Sequence, residues 1–235
     1  MSIDLEKQVK KASIVLEKRG IAKIPCQVKL AIDKSGSMDS LYRANVVQKV
    51  VERVLAISMN VDMDGTVDIW AFHNDSLPAK AVTADKIDGY VNREIMNKFN
   101  WGGTSYAPVM EDILQESCGS NMQKAKSFLG GLFGKPSTTA VNVAGADPIL
   151  AILITDGEND DKSSTEDVIK NSQGQNIYWQ LIGIGGSRFP FLDSMGEKYP
   201  NCGFVGIGNI DRIDDEDLYS AIINEEFASW IKKFA

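Results

Sequence analysis

The sequence predicts a single α/β domain in which helices flank a doubly wound, mostly parallel, Rossmann-like sheet. Strand-like and helix-like segments alternate along the 235 residues, and no linker or internal repeat divides them. The most apolar segment, residues 149–155, is a continuous run of the kind found in parallel strands that are covered on both faces. The 43% hydrophobic composition can supply the core of such a domain.

The first half of the chain opens with an amphipathic helix. Leu5, Val9, Ala12 and Leu16 fall on one stripe, and Gly20 follows as a stop signal. We expect this helix, within residues 1–20, to pack on a domain formed by residues 21–235. The remaining elements predicted in this half are a strand at 26–32, a helix at 41–59, a strand at 66–72, a short strand at 80–83 paired with it, and helices at 86–96 and 107–117.

The second half contains one irregular stretch before the alternation resumes. Residues 119–147 hold several glycines, Pro136 and a Ser-Thr run, so a long connection with fast amide exchange is expected. The elements predicted after it are strands at 149–155, 177–184 and 202–207, and helices at 163–171, 191–199 and 215–234.

Composition excludes several classes of protein. The net charge of −7 argues against nucleic acid as the principal partner, because phosphate backbones draw basic surfaces. The three cysteines have no short paired spacing, so neither a disulfide framework nor a zinc signature is indicated. The first residues are charged and contain no apolar signal-peptide core, and no apolar run reaches membrane-spanning length. We therefore expect a cytoplasmic protein with no membrane span.

Two predicted strands end in an aspartate that small polar residues follow. Asp33 precedes Ser35 and Ser37, and Asp156 precedes a glycine. Parallel strands deliver such loops to one edge of the sheet, where α/β proteins bind ligands. A third loop carries Thr104 after two glycines. These five oxygen donors, without thiol or imidazole, suit a hard cation: Mg²⁺, with Mn²⁺ or Ca²⁺ as alternatives.

Other motifs give weaker signals. His73 is the only histidine. The sequence offers no partner for a Ser-His-Asp relay built around it, and we expect it to be an ordinary residue at a strand end. The glycines of residues 183–186 follow a late strand without the acidic residue that a dinucleotide site requires. No Gly-x-x-x-x-Gly-Lys-Ser/Thr phosphate loop is present. No enzymatic site is therefore indicated by these residues.

The five-residue pattern resembles the metal-ion-dependent adhesion site of von Willebrand factor A domains. Asp33-x-Ser35-x-Ser37, Thr104 in a Gly-Gly-Thr loop, and Asp156 occur in the order that this family has, and the element order agrees from about residue 25 to 234. The short preceding helix and the Asn100-Trp101-Gly102-Gly103-Thr104 loop resemble those of bacterial A-domain proteins of tellurite-resistance and stress gene clusters. The resemblance implies that the serine and threonine hydroxyls touch the metal and that the aspartates act partly through water.

What the resemblance implies for function is a non-enzymatic binding module. A protein partner would supply an Asp or Glu to the open metal position; its identity and the oligomeric state are left open. Nearby acids (Asp39, Glu158, Asp160 and Asp161) are expected to form a solvated rim rather than a second cation site, and Trp101 to pack under its loop rather than contact a partner. If Lys34 only faces solvent, replacing it should change partner affinity little. The alternative is a metal-dependent phosphohydrolase with Asp33 as nucleophile. Lys34 at the next position and the lack of a general acid at Ser35 count against that alternative.

Overall fold

The computed structural model describes residues 3–117, 147–186 and 188–235. Within them, six strands form one sheet in the order β3-β2-β1-β4-β5-β6. All neighbouring pairs are parallel except β2 and β3, which pair antiparallel at one edge. The strands are β1 Gln27–Asp33, β2 Asp68–Phe72, β3 Ser76–Pro78, β4 Ile149–Thr155, β5 Ile177–Ile184 and β6 Cys202–Ile207. The predicted fold class is confirmed.

Helices cover both faces of this sheet. They are α1 Ile3–Arg19, α2 Asp39–Arg43, α3 Val46–Val61, α4 over residues 107–117, α5 Lys162–Asn171, α6 Pro190–Lys198, α7 Asp215–Ile222 and α8 Glu225–Ile231. Short 3-10 turns lie at Gly36–Met38 and Lys232–Phe234, and a π-helical turn at Asn92–Met96. Helices α1, α3, α7 and α8 share one apolar core, and α4, α5 and α6 share the other.

Strand β4 explains why its sequence is apolar at every position. Leu150, Ile152 and Ile154 point into the first core, whereas Ala151 and Leu153 point into the second. Because both faces are covered, no position of the strand meets water and a polar alternation is absent. This strand lies beside β1 at the centre of the sheet, so it fixes the edge at which the predicted site residues emerge.

The N-terminal helix packs on the helical layer of the first core. Leu5 and Leu16 are buried there, and Lys18 pairs with Glu216 of α7 at the surface. Exposed ion pairs contribute little free energy, so the buried apolar stripe is the main attachment. The division into residues 1–20 and 21–235 stays a prediction.

Three predicted helices differ from those observed. The helix predicted at 41–59 is interrupted where Asn45 takes a left-handed conformation, φ 61°, which asparagine tolerates. The helix predicted at 215–234 is divided because Asn224 begins a new one, its side chain accepting the Phe227 N–H at 2.8 Å. The helix predicted at 86–96 is reduced to a short turn that follows Gly89, whose φ is 62°.

The strand predicted at residues 80–83 is wrong. After β2 the chain reverses at once, and the His73 N–H donates to the Asp75 carbonyl at 3.1 Å. The antiparallel partner therefore begins at Ser76, and only a single bridge joins Val82 to Val67. The prediction for residues 119–147 lies, apart from Asp147, outside the described residues.

Candidate metal centre

The two aspartates lie at the same edge of the sheet, as the sequence predicts. Asp33 is the last residue of β1, and Asp156 follows the last residue of β4. The two strands are parallel neighbours, with Ile32 opposite Ile154. Their carboxyl ends therefore deliver both carboxylates to one place. We call residues 33–37 the aspartate loop and residues 100–105 the threonine loop.

Asp33 is held by its own chain and by β4. Its side chain is 0% exposed; Oδ1 accepts the Ser35 N–H at 2.6 Å and Oδ2 accepts the Thr155 hydroxyl at 2.6 Å. Burial raises the pKa of Asp33 to about 6, although the hydrogen bonds from Thr155 and Ser35 oppose that shift. The carboxylate is therefore fixed in orientation and partly desolvated before anything binds.

The two serines and Asp156 form a chain of oxygen atoms. The Ser35 and Ser37 hydroxyls are 3.0 Å apart, and the Ser37 hydroxyl donates to Asp156 Oδ1 at 2.7 Å. Ser35 is buried whereas Ser37 is exposed. The chain thus runs from beside Asp33 out to the surface and joins the loops that follow β1 and β4.

The threonine loop lies against both of those loops through its backbone. Gly102 forms a parallel bridge with Ser35, and its carbonyl accepts the Gly36 N–H at 3.2 Å. The Thr104 carbonyl accepts the Asp160 N–H at 2.9 Å. Among the described residues, no hydrogen bond joins the Thr104 hydroxyl to the other four predicted ligands. Four predicted ligands are therefore linked through hydrogen bonds, and Thr104 adjoins them through its loop.

The turn between β2 and β3 supports the threonine loop. This contact could not be read from the sequence. The Gly103 N–H donates to Asn74 Oδ1 at 2.8 Å, and the Ser105 N–H donates to the His73 carbonyl at 2.8 Å. A Cβ added to Gly102 would lie 2.7 Å from Cγ of His73. The glycines are therefore required by close approach, and the Gly-Gly pair was the signal in the sequence. His73 is a strand-end residue, as predicted.

The acidic residues near the site are less free than the sequence suggests. Asp161 accepts the Tyr106 and Ala107 N–H groups at 3.0 and 2.8 Å, at the start of α4. The expectation that Asp161 belongs to a solvated rim is therefore wrong, because these amides have no partner within the helix. Glu158 pairs with Lys162. Asp160 is exposed, as expected.

Asp39, the remaining acid of that group, is engaged at the surface. It pairs with Arg43 one helical turn later, with 2.7 Å between Nε and Oδ2. Such an exposed pair contributes little stability. Its effect is to offset the charge of one acidic residue beside the aspartate loop.

Lys34 does not face solvent, so the condition under which its replacement should matter little is not met. Its side chain is 0% exposed, and Nζ lies 2.8 Å from the ring centroid of Trp101 and 5.0 Å from that of Tyr42. Burial lowers the pKa of Lys34 to about 8. Trp101 packs under its loop, as predicted, with its ring at right angles to that of Tyr42.

The donor set fits a hard divalent cation. It consists of carboxylate and hydroxyl oxygens, and the described residues contain no cluster of three or more His, Cys, Asp or Glu that could hold a metal by themselves. With bonds of about 2.1 Å in an octahedral shell, adjacent ligands lie about 3 Å apart. The observed oxygen separations of 3.0 and 2.7 Å match that spacing.

The sheet order and this edge define the class of protein. A parallel sheet with one antiparallel edge strand, and an Asp-x-Ser-x-Ser loop beside a second strand-end aspartate, make the chain a von Willebrand factor A (vWA) domain. It belongs to the vWA-TerF-like family, described as the vWA found in the TerF C terminus, whose model matches residues 25–129 and 136–235. Members of the wider vWA domain family are generally adhesion or interaction modules rather than enzymes.

Relatives and solved structures agree with this assignment. The chain is 34% identical over 239 residues to the uncharacterized protein YcbR of Bacillus subtilis (strain 168), covering 99% of this chain and 87% of that protein. Proximal thread matrix protein 1 of the mussel byssus matches with a TM-score of 0.53 and 16% identity over 84% of this chain and 46% of its own. The chain therefore spans less than half of the byssus protein.

Two of the matching structures contain a metal. One is a form of the same byssus protein with a zinc-occupied MIDAS motif, at a TM-score of 0.50 and 15% identity over 84% of this chain and 46% of that one. The other is the manganese-loaded TRAP protein of Plasmodium vivax, which matches with a TM-score of 0.52 and 15% identity over 86% of this chain and 73% of its own. At these identities the likeness establishes the fold alone. Among the described helices of this chain, none combines the length and apolar composition needed to cross a bilayer.

Proposed function

We propose that this protein is a binding module that holds a divalent cation with Asp33, Ser35, Ser37, Thr104 and Asp156. The observation that carries the proposal is the hydrogen-bonded chain from Ser35 through Ser37 to Asp156, beside the buried carboxylate of Asp33. Mg²⁺ is the cation that we favour, with Mn²⁺ or Ca²⁺ as alternatives. The zinc-occupied and manganese-loaded neighbours support a divalent ion at a site of this type.

The cation captures a carboxylate from a protein partner. Two aspartates balance its charge formally, and the hydroxyl ligands add none, so an incoming Asp or Glu forms a strong bond at an open position. The chain itself carries a net charge of −7, and Asp160 is exposed beside the site. An acidic partner is therefore repelled by the metal-free surface and attracted once the cation is present. Binding of the partner therefore requires that the metal site be occupied.

The setting that we propose is the cytoplasm, in a tellurite-resistance, stress or phage-defence system in which this protein assembles partners. The support is membership of the vWA-TerF-like family. Neither a nucleic acid nor a membrane is part of the proposal.

Calorimetric titration of the metal-free protein with Mg²⁺ and Mn²⁺ tests the site. We expect binding to wild type and a loss of at least about tenfold in affinity for Asp156→Asn and Ser37→Ala, as is typical when groups around a metal are removed. Asp88→Asn and Ser164→Ala, two exposed positions on other segments, are the matched controls. Millimolar Mg²⁺ should also raise the Tm modestly, because it binds the folded state. The absence of binding to wild type would contradict the proposal.

Partner capture is tested by affinity purification from the native host, with and without EDTA, followed by calorimetry on the protein recovered. The affinity should disappear with EDTA and fall for Thr104→Ala. Equal affinity of wild type, of wild type with EDTA and of Thr104→Ala would mean that partners use another surface, such as α1 or the helices α7 and α8.

The phosphohydrolase alternative is opposed by the environment of Asp33. Attack on phosphorus requires an in-line approach of the whole phosphoryl group to the carboxylate, which needs more room than a cation held through one oxygen or a bound water, and the Asp33 side chain is 0% exposed. An assay with p-nitrophenyl phosphate and Mg²⁺ distinguishes the two functions. Turnover that Asp33→Asn abolishes would favour the enzyme, and we expect none.

A further inference from the structure

An aromatic cage encloses a buried lysine directly beside the proposed metal site. The Lys34 ammonium group lies over the ring of Trp101 and near that of Tyr42, and the two rings meet at 85° with their centroids 5.4 Å apart. Within the described residues, no carboxylate forms an ion pair with Lys34. The charges of Asp39 and Arg43 act on it from a distance, without a salt bridge, so the direct contacts of the ammonium group are with the faces of two rings, which attract cations through their quadrupoles.

The three members of this cage come from three separate segments of the chain. Lys34 belongs to the aspartate loop, Tyr42 to α2, and Trp101 to the threonine loop. The Tyr42 hydroxyl also donates to the Asp33 carbonyl at 2.9 Å. In the threonine loop, the residue after Trp101 is Gly102, whose carbonyl accepts the N–H of Gly36 in the aspartate loop. The cage therefore lies at the junction where the loops carrying Asp33 and Thr104 meet.

We propose that Lys34 is a positioning residue of the metal centre, whose ammonium group between Trp101 and Tyr42 fixes the threonine loop against the aspartate loop. The role in metal binding rests on the function proposed above. Thr104 needs such a device more than the other ligands do, because within the described residues its hydroxyl has no hydrogen bond to them. Its position follows from where its loop lies, and Trp101 is the large side chain of that loop.

The sign of one substitution separates this role from a simple effect of charge. A positive group beside a cation site repels the metal, so neutralising Lys34 should tighten metal binding if its charge were all that mattered. If Lys34 holds the threonine loop, neutralising it should weaken metal binding, because a ligand is then no longer held in place. The charge effect and the loop-holding role therefore predict opposite changes in metal affinity.

The experiment is a Mn²⁺ titration of wild type, Lys34→Met and Lys34→Arg by calorimetry. Methionine fills the cage without charge, and arginine keeps a cation that stacks on aromatic rings. We expect Lys34→Met to bind Mn²⁺ about tenfold more weakly and Lys34→Arg to stay within about threefold of wild type. Binding by Lys34→Met that equals or exceeds that of wild type would overturn the proposal.

Amide hydrogen exchange on the metal-free proteins gives a readout that does not depend on metal. Peptides covering 33–37 and 100–105 should exchange about tenfold faster in Lys34→Met and near the wild-type rate in Lys34→Arg, while β4 keeps its protection. Unchanged exchange in Lys34→Met would overturn the loop-holding role. If wild type binds no Mn²⁺ but the exchange differs as expected, the metal function fails and the loop-holding role stands.

A second variant keeps the test valid if Lys34→Met does not fold. Trp101→Phe retains a ring with a weaker attraction for the ammonium group. It should give intermediate changes, with Mn²⁺ affinity about threefold lower and exchange at 100–105 faster than in wild type. Wild-type behaviour in both measurements would count against the cage.

Discussion

The aspartate loop and the threonine loop lie side by side at the carboxyl edge of the sheet, but they are held in different ways. The aspartate loop is organised from within: its buried Asp33 accepts the N–H of Ser35, two residues later, and the Thr155 hydroxyl of the adjacent strand. The threonine loop is held from outside by contacts with His73, Asn74 and Lys34. One loop depends on a buried carboxylate, and the other on the close approach of neighbouring segments.

This difference has a consequence for how each loop fails. Weakening the aspartate loop leaves a desolvated carboxylate without partners, which costs free energy of folding. Weakening the threonine loop separates it from the neighbouring segments that it contacts closely. Substitutions that add bulk should therefore act more strongly there than substitutions that remove one hydrogen bond. The order of the expected effects follows from this.

The largest expected effect is that of Gly102→Ala. The added methyl group would lie 2.7 Å from Cγ and 2.8 Å from Cβ of His73, whose Nδ1 accepts the Asp75 N–H at 3.1 Å, so relieving the clash has to shift His73 or the threonine loop. We expect a loss of about 3 kcal/mol in the free energy of unfolding, at the upper end of overpacking costs. Urea unfolding followed by circular dichroism measures it.

The matched control for this substitution is Gly157→Ala at the same edge of the sheet. A Cβ there meets no atom within 4 Å, so we expect a change of at most about 0.5 kcal/mol. If Gly102→Ala were as mild as Gly157→Ala, the threonine loop would not depend on close approach, and the comparison between the loops would be wrong.

A smaller effect is expected for Thr155→Val, which removes the internal support of the aspartate loop. The hydroxyl donates to Asp33 Oδ2 and accepts from Tyr106 at 3.2 Å, and the residue is fully buried. Losing these bonds should cost about 2 kcal/mol, because a buried charged group then lacks a donor. Thr155→Ser keeps the hydroxyl and should cost less in the same urea experiment. A serine variant that is as unstable as the valine variant would assign the loss to the missing methyl group.

The same contrast explains how much of the site could be predicted from the sequence. Asp33, Ser35 and Ser37 form a local motif after an apolar strand, and Asp156 follows the most apolar strand of the chain, so the fold class alone brings them to one edge. Strand β4 was predicted residue for residue for the same reason, because its apolar run records burial on both faces. These features depend on short stretches of chain.

The parts that were missed depend on contacts between distant segments. Asp161 was expected to be solvated because nothing local shows that the first amides of α4 lie beside it. Lys34 was given no role in the site, because lysine is usually exposed and its contact with Trp101 joins positions sixty-seven residues apart. The strand at 80–83 was misplaced because the tight turn after β2 was not recognised. Sequence patterns carry no direct record of such pairings.

The smallest expected effect is that of Asn74→Ala, and it tests the outer support of the threonine loop most selectively. Asn74 is exposed and its Oδ1 accepts the Gly103 N–H at 2.8 Å. Removing an exposed hydrogen bond should cost about 0.5–1 kcal/mol, since water can replace the acceptor. Asn74→Asp keeps an acceptor oxygen at the same position and should stay close to wild type. Because the Asn74 side chain hydrogen-bonds to the threonine loop and, among the described residues, to none of the aspartate loop, Asn74→Ala should also speed amide exchange at 100–105 while leaving 33–37 unchanged. Equal acceleration in both loops would mean that they move as one unit, and the distinction between internal and external support would have to be abandoned.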